Sequence, residues 1–161
     1  MKLAIFNNLY VLKTVFHFEE WLKYHIDFGV DHFYFYENTH PDFLFLKSDT
    51  KRDIEVDIFN NFSYKDIYRY YNEIKLKYKD YCTFIKWLPT DPSGLLLGAG
   101  DPSLHPSKDP WVTSQNAAAI DFYQNHAQKY DRVSTIDFDE FYFSKRYGNI
   151  KDFLQNNNQD T

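Results

Sequence analysis

The chain has 161 residues, enough for one domain with a real core, and 43% of them are apolar and 20% aromatic, which excludes a disordered polymer. A net charge of −5 argues against a phosphate-backbone binder, and the single cysteine, Cys82, excludes an internal disulfide or a Cys-based zinc site. No apolar run approaches the roughly 18 residues of a membrane span. The start, Met1 to Phe6, has the apolar look of a leader. Asn7 and Asn8 interrupt it and no small-residue cleavage site follows, so a first strand and a cytoplasmic location are expected.

In chain order, residues 3–6 and 10–12 read as strands. From Phe18 the period changes: Phe18, Trp21, Leu22, His25 and Ile26 recur at helical spacing, with Glu19, Glu20 and Lys23 opposite. This predicts a helix over 18–28, and Gly29 stands where a helix-terminating residue belongs. A buried strand over 31–36 and a turn over 38–41 follow. Alternation predicts a strand over 54–59. A helix over 64–81 puts Ile67, Tyr70, Tyr71, Ile74 and Tyr78 near one face, and Lys75, Lys77 and Lys79 on a solvated one. Cys82 reads as a small buried hydrophobe before a strand over 83–88. Residues 89–110 hold five of the six prolines and three of the five glycines, which predicts a long loop. A helix over 113–129, a strand over 133–136, a short helix over 150–154 and a frayed polar tail over 155–161 complete the chain. Strands alternating with helices predict one α/β domain over 1–154, with a mostly parallel central sheet flanked by helices.

Ligands in such folds bind beyond the carboxyl ends of strands. Two predicted strands end in polar clusters there: Tyr36-Glu37-Asn38 and Ile136-Asp137-Phe138-Asp139-Glu140. In an extended chain Asp137 and Asp139 would point the same way, about 6.5–7 Å apart. Two such carboxylates suit Mg²⁺ or Mn²⁺, with phosphate oxygens completing the shell. Spacing alone fits an exposed acidic turn at least as well. Glu37 can accept hydrogen bonds from a ribose or base, while Asn38 and Asp42 can equally close an Asx-type turn. His17, His25 and His32 are scattered, and His25 reads as a satisfied core residue; His105 falls in the long loop. Neither a phosphate-binding Gly-rich loop nor a Gly-x-Ser-x-Gly elbow is present.

Two segments together resemble glycosyltransferase family 92 and related enzymes of the GT-A fold. The first is Glu20-Trp21-Leu22-Lys23-Tyr24-His25, then Phe28-Gly29-Val30-Asp31-His32-Phe33-Tyr34-Phe35-Tyr36-Glu37-Asn38. The second is Gln115 with Ala118, then Arg132 to Phe141, with Asp137-Phe138-Asp139-Glu140-Phe141 at its end. The resemblance implies a GT-A-like, metal-dependent, inverting glycosyltransferase. It would move a sugar, often galactose, from a nucleotide-diphosphate donor to a glycan or other hydroxyl acceptor, with no role for nucleic acid. It implies that Asp137 and Asp139 hold Mn²⁺ or Mg²⁺, and that Lys13, Glu37, Gln115 and Asp137 serve the nucleotide sugar. No residue is assigned as catalytic base; Glu140 is expected to face away from the metal. The chain departs from the pattern at Leu12-Lys13-Thr14, where the family has Lys-Asn-Glu. Only about 20 residues follow Asp139, so the resemblance covers the donor-binding half and a truncated domain is expected. Two rival expectations remain open: a non-catalytic remnant that binds a nucleotide or a partner, and a nucleotidyltransferase-like enzyme.

Overall fold

Ala4, Ile5 and Phe6, and the run Phe33 to Tyr36, are buried on both sides of their strands, the mark of a parallel sheet covered on two faces. The computed structural model describes residues 1–9, 11–37, 64–87 and 114–156. Its elements are β1 (Leu3–Leu9), α1 (Val11–Asp27), β2 (His32–Glu37), α2 (Tyr64–Lys77), β3 (Cys82–Lys86) and α3 (Ser114–Asn125). A 3₁₀ turn (Ala127–Lys129), β4 (Arg132–Ser134) and α4 (Ile150–Asn156) follow. The strands form one sheet in the order β3-β2-β1-β4, and every pair is parallel. This is the expected α/β architecture, Rossmann-like in its βαβ units. No helix among the described residues is long and apolar enough to cross a membrane.

Strand alternation divides the core into two layers. Leu3, Ile5, Leu9, Phe33 and Phe35 meet Val15, Phe18, Trp21 and Leu22 of α1 and Ile67, Tyr71 and Ile74 of α2. On the other face Ala4, Phe6, Tyr34 and Tyr36 meet Ala118 and Phe122 of α3, with Phe6 stacked on Phe122 at 4.4 Å. Each such side chain contributes roughly 1.5–3 kcal/mol by leaving water. Between α1 and α2, Glu19 accepts hydrogen bonds from Lys77 (2.6 Å), Tyr70 (3.1 Å) and Tyr78 (3.2 Å). Lys77 holds its carboxyl below the usual range.

Gly29 ends α1 as the pattern predicts. Its φ is +105°, its N–H donates to Ile26, and the Val30 N–H reaches back to His25, both at 3.0 Å. A Cβ at Gly29 would lie 2.5 Å from Asn149 Nδ2. Asp31 then accepts from the Leu3 N–H (2.7 Å) and from Lys151 of α4 (2.6 Å). Gly29-Val30-Asp31 therefore sits at the amino-terminal edge of the sheet and serves its architecture.

Several boundaries differ from expectation. Of the strand expected over 10–12, Val11 and Leu12 are helical: β1 ends at Leu9 and α1 begins at Val11, seven residues before the apolar stripe becomes legible at Phe18. The helix expected over 113–129 stops at Asn125 and continues as the 3₁₀ turn. The last strand is Arg132–Ser134 rather than 133–136. α4 reaches Asn156, so the expected frayed tail begins with two helical residues. The expected turn over 38–41, strand over 54–59 and loop over 89–110 lie outside the described residues, as do Asp42, His105 and 157–161.

Candidate functional site

With all strands parallel, Leu9, Glu37 and Lys86, partners across the ladders, leave the sheet at one edge. From β1 the chain steps to β2 and β3 on one side, whereas β4 lies on the other side of β1. The carboxyl edge between β1 and β4 is thus the topological switch point, where open α/β sheets form their crevice. The chain leaving β4 follows that gap. Asn7, buried in β1, donates its side-chain amide to the Ile136 carbonyl and carries the segment past the end of the ladder.

Residues 137–140 close a turn in which the Glu140 N–H donates to the Asp137 carbonyl at 3.0 Å. This corrects the extended geometry expected for Asp137 and Asp139, since strand pairing has stopped at Ser134. Phe138 supplies the inward anchor, with its ring 5.0 Å from Trp21, 5.6 Å from Phe18 and 5.9 Å from Phe35. Burying Phe138 leaves the flanking Asp137 and Asp139 exposed. Glu140 also departs from expectation. Its Oε2 turns back on the acidic segment, accepts from the Asp137 N–H at 3.0 Å and caps the turn.

The seat of this turn is α1. The Trp21 indole N–H forks between the Asp137 carbonyl (3.1 Å) and the Glu140 carbonyl (3.0 Å), bracketing the turn. Tyr24 donates to the Tyr142 carbonyl, and His25 stacks on Phe141 at 5.6 Å. Trp21, Tyr24 and His25 lie at i, i+3 and i+4, on one stripe of the helix. The α1 stripe of the first segment and residues 137–142 are therefore one physical unit. Helical spacing puts Trp21 and His25 on the apolar stripe without revealing this contact. The signal that could have found the seat was the pair of side chains with polar tips, Trp21 and Tyr24, on that apolar stripe.

The remaining expected site residues gather at the same edge by backbone, with different surroundings. Lys13 lies in the first turn of α1, directly after β1. Gln115 is the second residue of α3, which runs down from this edge: Asp121 accepts from Tyr36 at 2.7 Å, and His126, further on, stacks on Tyr34. Glu37 ends β2, but its carboxylate is engaged within the fold. Oε1 accepts from the buried Tyr71 hydroxyl and pairs with Lys75 at 2.6 Å. Burial, with Glu37 beside it, pushes the Tyr71 hydroxyl far above its ordinary range. Cys82 is buried and its thiol is pushed up to about 12, which makes it an inert core residue.

Among the described residues no three His, Cys, Asp or Glu side chains converge as a ready cation site. Asp137 and Asp139 offer two exposed carboxylates, a donor set that suits a hard divalent ion only if phosphate oxygens and water complete it. A cavity of about 410 Å³ lies elsewhere, lined by Leu3, Phe28, Val133, Ile150 and Leu154 among others, with no acidic side chain in its wall. Comparisons with protein-family profiles, with curated proteins and with solved structures find no match for this chain.

Proposed function

We propose that the chain binds the nucleotide-sugar donor of a metal-dependent glycosyltransferase. The observation that carries this reading is the acidic turn at the switch point, with Phe138 turned inward and the Trp21 N–H spanning its two ends. Asp137 and Asp139 supply oxygen ligands at the crevice, while Glu140 is withheld by the Asp137 N–H. A divalent ion bound there neutralises charge on a departing diphosphate. The first turns of α1 and α3, with Lys13 and Gln115, bring backbone N–H groups to the same edge, where helix dipoles favour phosphate. A second reading, a non-catalytic remnant that binds only a partner, is favoured by Glu37, the expected nucleoside ligand, whose carboxylate serves α2 instead.

The test is Asp139→Asn, measured by thermal shift with a nucleoside diphosphate, with and without Mn²⁺. Wild type gains stability from the pair together and the variant loses that gain. Equal metal-dependent stabilisation in both proteins removes Asp139 from the site. Product analysis with a panel of nucleotide sugars then separates transferase from remnant.

A further inference from the structure

His25 is fully buried, and only one of its ring nitrogens is satisfied. Nδ1 lies 2.8 Å from the Trp21 carbonyl, which can only accept, so the proton sits on Nδ1 and Nε2 is a bare acceptor without a partner among the described residues. The ring is boxed by aromatics from two elements. From α1 come Trp21 (4.3 Å) and Tyr24 (5.1 Å); from the segment after the acidic turn come Phe141 (5.6 Å, stacked) and Tyr142 (5.7 Å, edge-on).

A proton added at Nε2 finds no acceptor among the described residues of this box. The Tyr24 and Tyr142 hydroxyls, held at the Tyr142 carbonyl and at Ser134 Oγ, are not within hydrogen-bond reach of Nε2. Glu140, the acid in the adjoining turn, is engaged at the Asp137 N–H, and Asp137 and Asp139 face solvent. On α1 the charged neighbours Lys23 and Asp27 are exposed. The ring faces of Trp21 and Phe141 offer a cation some attraction but no acceptor for a new N–H. Burial accordingly holds the imidazole below its ordinary range. One wall of the box is thin: Phe141 is already 47% exposed, whereas Phe18, Trp21 and Leu22 are fully buried and pin α1 to the sheet.

We infer that His25 is the trigger of an acid-sensitive latch, in which protonation of its buried ring releases the Phe141–Tyr142 segment from α1 and loosens the acidic turn. The charged ring reaches water by displacing Phe141 rather than by unfolding α1. The Tyr24 bond to the Tyr142 carbonyl and the Trp21 bond to the Glu140 carbonyl break next. As regulation of the proposed metal site the latch rests on the reading above; the conformational step does not.

The experiment is amide hydrogen exchange of the full chain from pH 7.5 to 5, corrected for the intrinsic pH dependence of exchange. In wild type, opening of residues 137–142 grows by up to about tenfold per pH unit below about 6.5, while β1 and β2 amides stay protected. In His25→Phe and His25→Asn the same amides lose their pH dependence. Protection in wild type that is independent of pH, or an equal acid response in both variants, overturns the latch. If neither variant folds, the wild-type NMR titration decides. Phe141 ring resonances moving with the His25 titration support the latch, and a His25 titration that leaves them unmoved refutes it. A second arm measures Mn²⁺ binding with a nucleoside diphosphate at pH 7.5 and 5.5. Acid loss in wild type with retention in His25→Phe supports the regulatory role. No Mn²⁺ binding at pH 7.5 refutes the metal reading, and the latch is then judged on exchange alone.

Discussion

Glu37→Ala removes the carboxylate that holds α2 to the end of β2, and its cost can be worked from the partners it leaves behind. The Tyr71 hydroxyl, on a residue only 3% exposed, loses its acceptor. An orphaned buried hydroxyl costs about 1–3 kcal/mol. Lys75 loses a half-buried ion pair, with side-chain exposures of 30% and 17%, which adds up to about 1 kcal/mol after solvent screening. Lys75 keeps its place over the Phe84 ring at 4.6 Å, so α2 should not detach. The sum is roughly 1–4 kcal/mol, or a fall of about 2–16 °C in unfolding midpoint for a chain of this size. Glu37→Gln, which keeps a carbonyl oxygen for Tyr71, should cost only about 1 kcal/mol. The cycle with Tyr71→Phe sharpens the test. Added to Glu37→Ala, that change removes the orphaned hydroxyl, so the pair should be less than additive by about 1–2 kcal/mol. Urea unfolding of the wild type and these variants measures all of this. Stability of Glu37→Ala within about 0.5 kcal/mol of wild type, together with lost nucleotide affinity, would refute the anchor and return Glu37 to the ligand.

Trp21→Phe removes the forked N–H and part of a fully buried ring, and should cost about 2 kcal/mol by denaturant unfolding, with the largest loss of exchange protection at 137–140; intact protection there would sink the seat. Gly29→Ala forces a side chain to a φ of +105° and against Asn149, and should destabilise by about 1–3 kcal/mol. Asn149→Ala should relieve the contact but not the backbone strain, and full rescue by it would show the strain to be negligible. Cys82, buried with a thiol raised to about 12, should react with a disulfide reagent only as fast as the chain opens; fast labelling of native protein contradicts its placement.

The parallel sheet and the axis of α1 were legible because they are written in local periods: two-sided burial in residues 33–36, and the stripe Phe18, Trp21, Leu22, His25 closed by Gly29. Val11 and Leu12 look like strand because an apolar pair without a repeat is consistent with either state; tertiary context makes them the first turn of α1. The apolar run up to Ile136 promised a longer β4, but the ladder stops at Ser134 and an asparagine side chain takes the Ile136 carbonyl instead. At the site, the residue types were readable and the shape was not. The Asp137–Glu140 turn is held by an indole 116 positions upstream of Asp137, a contact no local period encodes. Glu37 misled for a similar reason: an acid at a strand end looks equally open to a ligand whether or not a distant helix supplies a Tyr and a Lys to occupy it.

β1 is the first of the described strands, yet one of its two neighbours is the last of them, with Leu3 beside Arg132 and Ala4 beside Val133. During synthesis β1, α1 and β2 emerge early, while one flank of β1 and the Trp21 N–H must wait for a segment that follows far behind; Asn7 and Ile136 are 129 positions apart. Closing so long a loop adds little to the equilibrium cost, which grows only with the logarithm of length, but such distant pairings are slow to find. At ribosomal speeds of about 5–20 residues per second the wait is on the order of ten seconds. Throughout it an apolar strand stands with its hydrogen-bonding groups open to any other chain. Among the described elements, the acidic turn therefore takes shape after β1, β2 and β3 have emerged, and the open flank of β1 is exposed to mispairing until the candidate site forms.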